Sequence, residues 1–109
     1  MHVGETVSKL NIYVDEQDKH HHKPVYEAVL DILREHKVAG ASVFRGVGGF
    51  GADGVVHSAK ILELSTDLPV KIEVVDAREK IEAILPELCS VVEKGIITMS
   101  DATVIKCQA

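Results

Sequence analysis

Arg45-Gly46-Val47-Gly48-Gly49-Phe50-Gly51, with Gly54 just beyond, sets an arginine beside five of the chain's eight glycines. Glycine packs nothing and loses more backbone entropy on folding than any other residue, so such a cluster needs a cause. Either the backbone turns repeatedly through positive φ, or something must come close to its N–H groups. Arg45 and His57 flank the run and Lys60 is near in sequence. The chemistry on offer is therefore the binding of an anion, by a nest of backbone N–H groups with cations at its rim. The same residues also suit a β-hairpin tip carrying two stabilising cations, and their types alone leave both readings open.

Gly46-x-Gly48-x-x-Gly51 has the form of the dinucleotide-binding fingerprint. That fingerprint works by seating a pyrophosphate on a helix N-terminus, at the first strand-to-helix junction of a βαβ unit. Here Ala52-Asp53-Gly54-Val55-Val56 opens no amphipathic helix, which sets that reading aside. His20-His21-His22 raises the question of a metal. Consecutive side chains diverge, however, and no cysteine or carboxylate stands at a standard ligand spacing, so a solvated connection is expected. His36, near a helix end, suits the helix dipole.

A catalytic inventory is thin. Ser58, Ser65 and Thr66 lie near His57 in sequence, which does not make a triad, and Cys89 falls in an apolar helical pattern, where a packed, inert thiol is expected. No catalytic residue and no metal ligand is assigned.

Alternation of Leu10, Ile12 and Val14 with Lys9, Asn11 and Tyr13 predicts a first strand. The polar stretch from Asp15 to Lys23 leads to Pro24, well placed at a first helical turn. Val25, Tyr26, Val29, Leu30 and Leu33 then predict a helix, with Gly40 just past its end. Ala41–Arg45 predicts a second strand, which runs into a long loop over about 46–60. Ile61, Leu62 and Leu64 are expected to return as a strand extension. Pro69 opens the alternating strand Val70–Val75. Asp76 with Glu79 resembles a capping box, and Ile81, Ile84, Leu85, Leu88 and Val92 share a helical face that Pro86 should kink or break. Ile96–Lys106 predicts a last strand, bent near Ser100-Asp101.

The order βαββαβ is the split-βαβ plan. The fold class expected is α+β and ferredoxin-like, a four-stranded antiparallel sheet with two helices on one face. The other face would carry half the apolar strand positions, and self-association would bury it.

With 109 residues, a single domain spanning 1–109 is expected. A chain of that size buries only about 60–70% of its unfolded surface, so assembly would help it. Composition is that of a globular domain: 46% hydrophobic, 27% charged, without tryptophan. Twelve basic against 17 acidic residues, a net charge of −5, argue against a phosphate-backbone partner, and so against nucleic acid. No signal-peptide pattern and no membrane-spanning run is read in the sequence. Two cysteines make neither a disulfide framework nor a zinc spacing. A cytoplasmic protein without membrane insertion is the expectation.

Asp18-Lys19-His20, Lys23-Pro24-Val25-Tyr26, Gly40-Ala41-Ser42-Val43-Phe44-Arg45-Gly46 and Gly49-Phe50-Gly51 resemble the bacterial and archaeal family called domain of unknown function one-ninety. The likeness continues through His57-Ser58-Ala59-Lys60, Leu68-Pro69-Val70 and Val75-Asp76. That family is similar in fold to the PII signalling proteins. The resemblance implies a homotrimer whose sheets pack around a central axis, with a mobile loop between the second and third strands. It also implies that an adenine nucleotide or related anionic effector binds in clefts between subunits at the base of that loop.

Carried over by position, the ligand-binding residues would be Arg45, Gly46, Gly48, Gly49, Phe50, Gly51, His57 and Lys60. The function implied is a non-catalytic sensor acting on a transporter or enzyme partner. Two alternatives stand beside it. One is a trimer resembling the CutA group, which binds metal through its histidines, and the other is a small hydrolase or phosphotransferase using the same cleft.

Overall fold

The computed structural model describes residues 1–51 and 67–107, together with the backbone of 56–58. In chain order its elements are β1 (Thr6–Asp15), β2 (Lys19–His20), β3 (Lys23–Pro24), α1 (Val25–Glu35), β4 (Ala41–Arg45), β5 (Gly48–Phe50), β6 (Val56–Ser58), β7 (Pro69–Asp76), α2 (Arg78–Val91) and β8 (Ile96–Thr103). The main sheet has the order β4-β7-β1-β8 and is antiparallel throughout. This is the expected ferredoxin-like arrangement.

Period-two alternation decides the two faces. Leu10, Ile12 and Val14 lie opposite Val74, Ile72 and Val70, so all six share one face. Against it pack Val25, Val29, Ile32 and Leu33 of α1 and Ile81, Ile84, Leu88 and Val91 of α2, forming one buried cluster. Burying each such side chain is worth about 1.5–3 kcal/mol, which is what holds the helices to the sheet.

The opposite face is less apolar than the alternation suggested. Its central row, Ser42, Glu73, Asn11 and Thr98, is polar from edge to edge. Glu73 pairs with Lys9 at 3.5 Å and with Lys71 at 3.1 Å. The Lys71 contact chiefly, and the charge of Lys9 after it, hold the Glu73 carboxyl below the usual carboxylate range. Large apolar side chains gather in a neighbouring row, where Phe44, Lys71, Tyr13 and Ile96 stand side by side.

Several local details depart from the sequence expectation. Asp76 does not cap α2 through a side-chain bond; the N-cap is Ala77. The Asp76 carboxylate instead accepts the N–H of Ala39 at 2.8 Å and that of Ala77 at 2.7 Å, with Lys80 at 3.4 Å. It thereby fastens the α1–β4 connection to the start of α2. Helix α2 continues unbroken through Pro86, which is exposed, so the carbonyl it strands can be hydrated. Cys89 is exposed, because the buried stripe runs through Ile84, Leu88 and Val91 and passes it by. Strand β8 stops at Thr103, short of the expected Lys106, and pairs with β1 through Ser100 and Asp101.

Helix α1 ends in a Schellman motif without glycine. Lys37 takes φ +54, its N–H donates to Arg34, and the Val38 N–H donates to Leu33. His36 bonds across to Glu87 of α2 at 2.9 Å.

Candidate functional site

Strand β4 delivers Arg45 to the mouth of the glycine run, and three contacts fix it there. Its backbone pairs with Val70 in the β4–β7 ladder. The next N–H, that of Gly46, donates to the Pro69 carbonyl at 2.7 Å. The Arg45 guanidinium makes a forked pair with Glu16, Nε to Oε2 at 2.7 Å and Nη2 to Oε1 at 3.0 Å. That carboxylate raises the already high pKa of Arg45 further. The partner is 29 positions away in sequence and carries no local motif.

Gly46 has a packing reason to be glycine. A Cβ there would stand 2.7 Å from Pro69 Cγ and 3.2 Å from the Pro69 carbonyl oxygen. Its N–H is already used, so any anion nest in this loop would rely on its neighbours. Gly48, Gly49 and Phe50 pair with Ser58, His57 and Val56 in a short hairpin, β5–β6, inside the long loop. An antiparallel ladder takes up the backbone donors of alternate residues, so part of the hairpin's N–H groups are also engaged. His57 is thus brought opposite Gly49 by its backbone; its side chain and the whole of Lys60, Gly54, Ile61, Leu62 and Leu64 lie outside the described residues.

A cleft of ≈ 1110 Å³ opens beside this hairpin. Arg45 and the described glycines of the run, Gly46, Gly48, Gly49 and Gly51, bound it together with Phe50. Outside the ligand set expected from the sequence, Tyr13, Phe44 and Ile96 add an apolar wall, Lys71 and Lys94 add cations, and Asp15 and Asp18 add acids. Lys71 Nζ sits 4.9 Å from the centre of the Phe44 ring, within cation–π range. Phe44, Lys71, Tyr13 and Ile96 form one row across the sheet. The alternation of each strand named these positions as one face, but only the register aligned them. An apolar wall with a few convergent charges is the ordinary build of a small-molecule site.

The histidine turn stands at a separate hairpin, β2–β3. His21 and His22 take φ +51 and +67, a pair of left-handed residues that a two-residue hairpin turn requires. The His20 and His21 rings stack at 4.2 Å. Among the described residues no three or more His, Cys, Asp or Glu side chains are grouped to hold a metal. Among them, too, no helix is long and apolar enough to cross a membrane.

Sheet order, helix placement and hairpin define a PII-like, ferredoxin-like fold. Similar solved structures include the nitrogen regulatory PII-like protein CPII of Thiomonas intermedia bound to ADP, AMP and bicarbonate. It matches with a TM-score of 0.68 and 19% identity, over 92% of this chain and 96% of that one. The apo form of CPII matches with a TM-score of 0.63 over 92% of each chain, also at 19% identity. The chain belongs to the DUF190 family (Uncharacterized ACR), whose model matches residues 7–104. A UPF0166 protein of Methanocaldococcus jannaschii is 39% identical over 98 residues, covering 89% of this chain and 90% of that protein. A UPF0166 protein of Aquifex aeolicus is 34% identical over 96 residues, covering 88% and 90%.

Proposed function

We propose that the protein is a non-catalytic, PII-like sensor that assembles as a homotrimer and binds a small anionic effector in the cleft beside the β5–β6 hairpin. The observation that carries this reading is the make-up of the cleft. Two cations, Lys71 and Lys94, stand with an apolar wall of Tyr13, Phe44 and Ile96 at the foot of a glycine-rich hairpin, and Arg45 borders the cleft from the helix side of β4. A flat apolar ring and a phosphate tail match those two halves, which favours an adenine nucleotide. The ADP and AMP held by CPII, a protein of the same fold, support the same class. A neighbouring subunit would close the open side of the cleft, and effector binding would reshape the hairpin. Val47 and Phe50, both strongly exposed, would then present a changed surface to a transporter or enzyme partner in the cytoplasm.

The test is the unfolding midpoint of the protein with ADP, AMP, ATP and bicarbonate, alone and combined, alongside sedimentation to give the assembly state. A ligand at 100 times its Kd stabilises by about 2.7 kcal/mol per site. A nucleotide-dependent rise in a trimer, lost in Arg45→Ala with the trimer intact, is the expected result. Silence across all four ligands would reject the effector class, and a monomer would reject the assembly.

A further inference from the structure

Lys71 stands inside the apolar wall of the cleft, paired across the ladders with Phe44 on one side and Tyr13 on the other. Its Nζ lies 4.9 Å from the centre of the Phe44 ring and 3.1 Å from Oε2 of Glu73. Those two partners belong to different places. Phe44 lines the cleft, whereas Glu73 lines a separate hollow with Ser42 and Val75. Glu73 also has a second cation, since its Oε1 lies 3.5 Å from Lys9 Nζ. Two lysines thus hold one carboxylate by separate oxygens, and withdrawing Lys71 leaves that carboxylate paired. The Lys71 side chain is 33% exposed, and an ion pair so open to water holds a flexible lysine only weakly.

We infer that Lys71 takes the anionic group of the effector, and that it does so by leaving Glu73. The assignment rests on the cleft being an effector site. An ammonium on a four-carbon stem carries three donors and reorients freely. A phosphate oxygen then replaces the Glu73 oxygen, one charge-assisted bond for another. Phe44 and Tyr13 remain on either side of the stem to receive a flat ring. Glu73 is thereby a competitor for Lys71, and its removal has a definite sign.

ADP is the first probe, and inorganic pyrophosphate, which has the charge without the ring, is the second. The Kd of each is measured calorimetrically for the parent, Lys71→Met, Glu73→Gln and the double variant. Exposed ion pairs contribute little to folding, so the variants will fold. Lys71→Met should weaken both ligands by about three- to thirtyfold, the worth of a charge-assisted bond less the one given up. Glu73→Gln should tighten them by about two- to fivefold by freeing Lys71, and that gain should vanish in the Lys71→Met background. Unchanged binding by Lys71→Met overturns the inference. So does a gain from Glu73→Gln that persists without Lys71, since Glu73 would then act through its own charge.

The parent protein supplies a readout that needs no variant. Lys71 is the largest cause holding the Glu73 carboxyl below the usual range, with Lys9 after it. Saturating ADP should therefore move the ¹³C titration of Glu73 upward, as far as Lys71→Met moves it in the ligand-free protein. A titration that stays in place refutes the exchange. A parent that binds neither probe overturns the effector reading and this inference together, whereas one that binds both without regard to Lys71 overturns this inference alone.

Discussion

Gly95 offers a sharp stability prediction, because its reason for being glycine is purely geometric. It sits at φ +136 between α2 and β8, and a Cβ there would stand 2.2 Å from the Tyr13 carbonyl oxygen. Real Cβ contacts essentially never fall below 3.0 Å. The obstacle is backbone, so no rotamer change relieves it. In Gly95→Ala the start of β8 must therefore withdraw from β1, beginning at the Tyr13–Ile96 pair.

The strained conformation costs about 1–3 kcal/mol, and each ladder bond lost costs about 0.5–1.5 kcal/mol more. Together they reach about 2–4 kcal/mol, out of the 5–15 that hold a domain of this size. At about 4–8 °C per kcal/mol for roughly 100 residues, the midpoint should fall by about 8–32 °C. Gly40→Ala is the control. A Cβ there meets nothing within 4 Å, so it should be neutral or stabilise by up to about 1 kcal/mol. Thermal and urea unfolding at one fixed protein concentration will compare the three proteins. A loss below about 1 kcal/mol in Gly95→Ala, well inside the ordinary range of point mutations, would refute the clash as drawn.

Two further outcomes follow from single residues. Lys37→Gly should stabilise by about 1 kcal/mol, read as a higher urea midpoint at unchanged slope, since glycine relieves a left-handed C′ residue and leaves both Schellman bonds in place. A fall would mean that the Lys37 side chain supports the helix end by its charge. The Glu73 carboxyl should titrate below the ordinary carboxylate value by ¹³C NMR, and Lys71→Met should move it back up, since the Lys71 bond is the largest cause. Because that folded-state pKa is lowered, its contribution to stability is present above the unfolded value and is lost as pH falls through the folded one.

The glycine run marks where local pattern stops. Its abundance of glycine pointed to a special loop, and a hairpin stands there. What Gly46 accommodates is Pro69, 23 positions downstream, and no spacing rule links the two. Arg45 stood out as a cation beside glycines, yet its forked pair with Glu16 depends on β1 and β4 both flanking β7. Asp76 looked like a helix cap from its neighbours. Its nearly buried carboxylate instead ties in Ala39, brought beside it by the β4–β7 pairing.

By itself the sequence determined the four strands of the main sheet, the two helices, their order and the split-βαβ plan. Apolar residues repeating every two or every 3.6 positions bury one face only when they form strands and helices, and that is a local constraint. Only the tertiary structure decided which strand positions stand abreast. Register joined Phe44, Lys71, Tyr13 and Ile96 into one wall of the cleft, and it put Ser42, Glu73, Asn11 and Thr98 across the middle of the open face. Slipping a strand by one residue would exchange its faces, so the alignment is set by burial summed over the whole sheet. That sum is a property of all four strands and both helices together, which no window of the sequence contains.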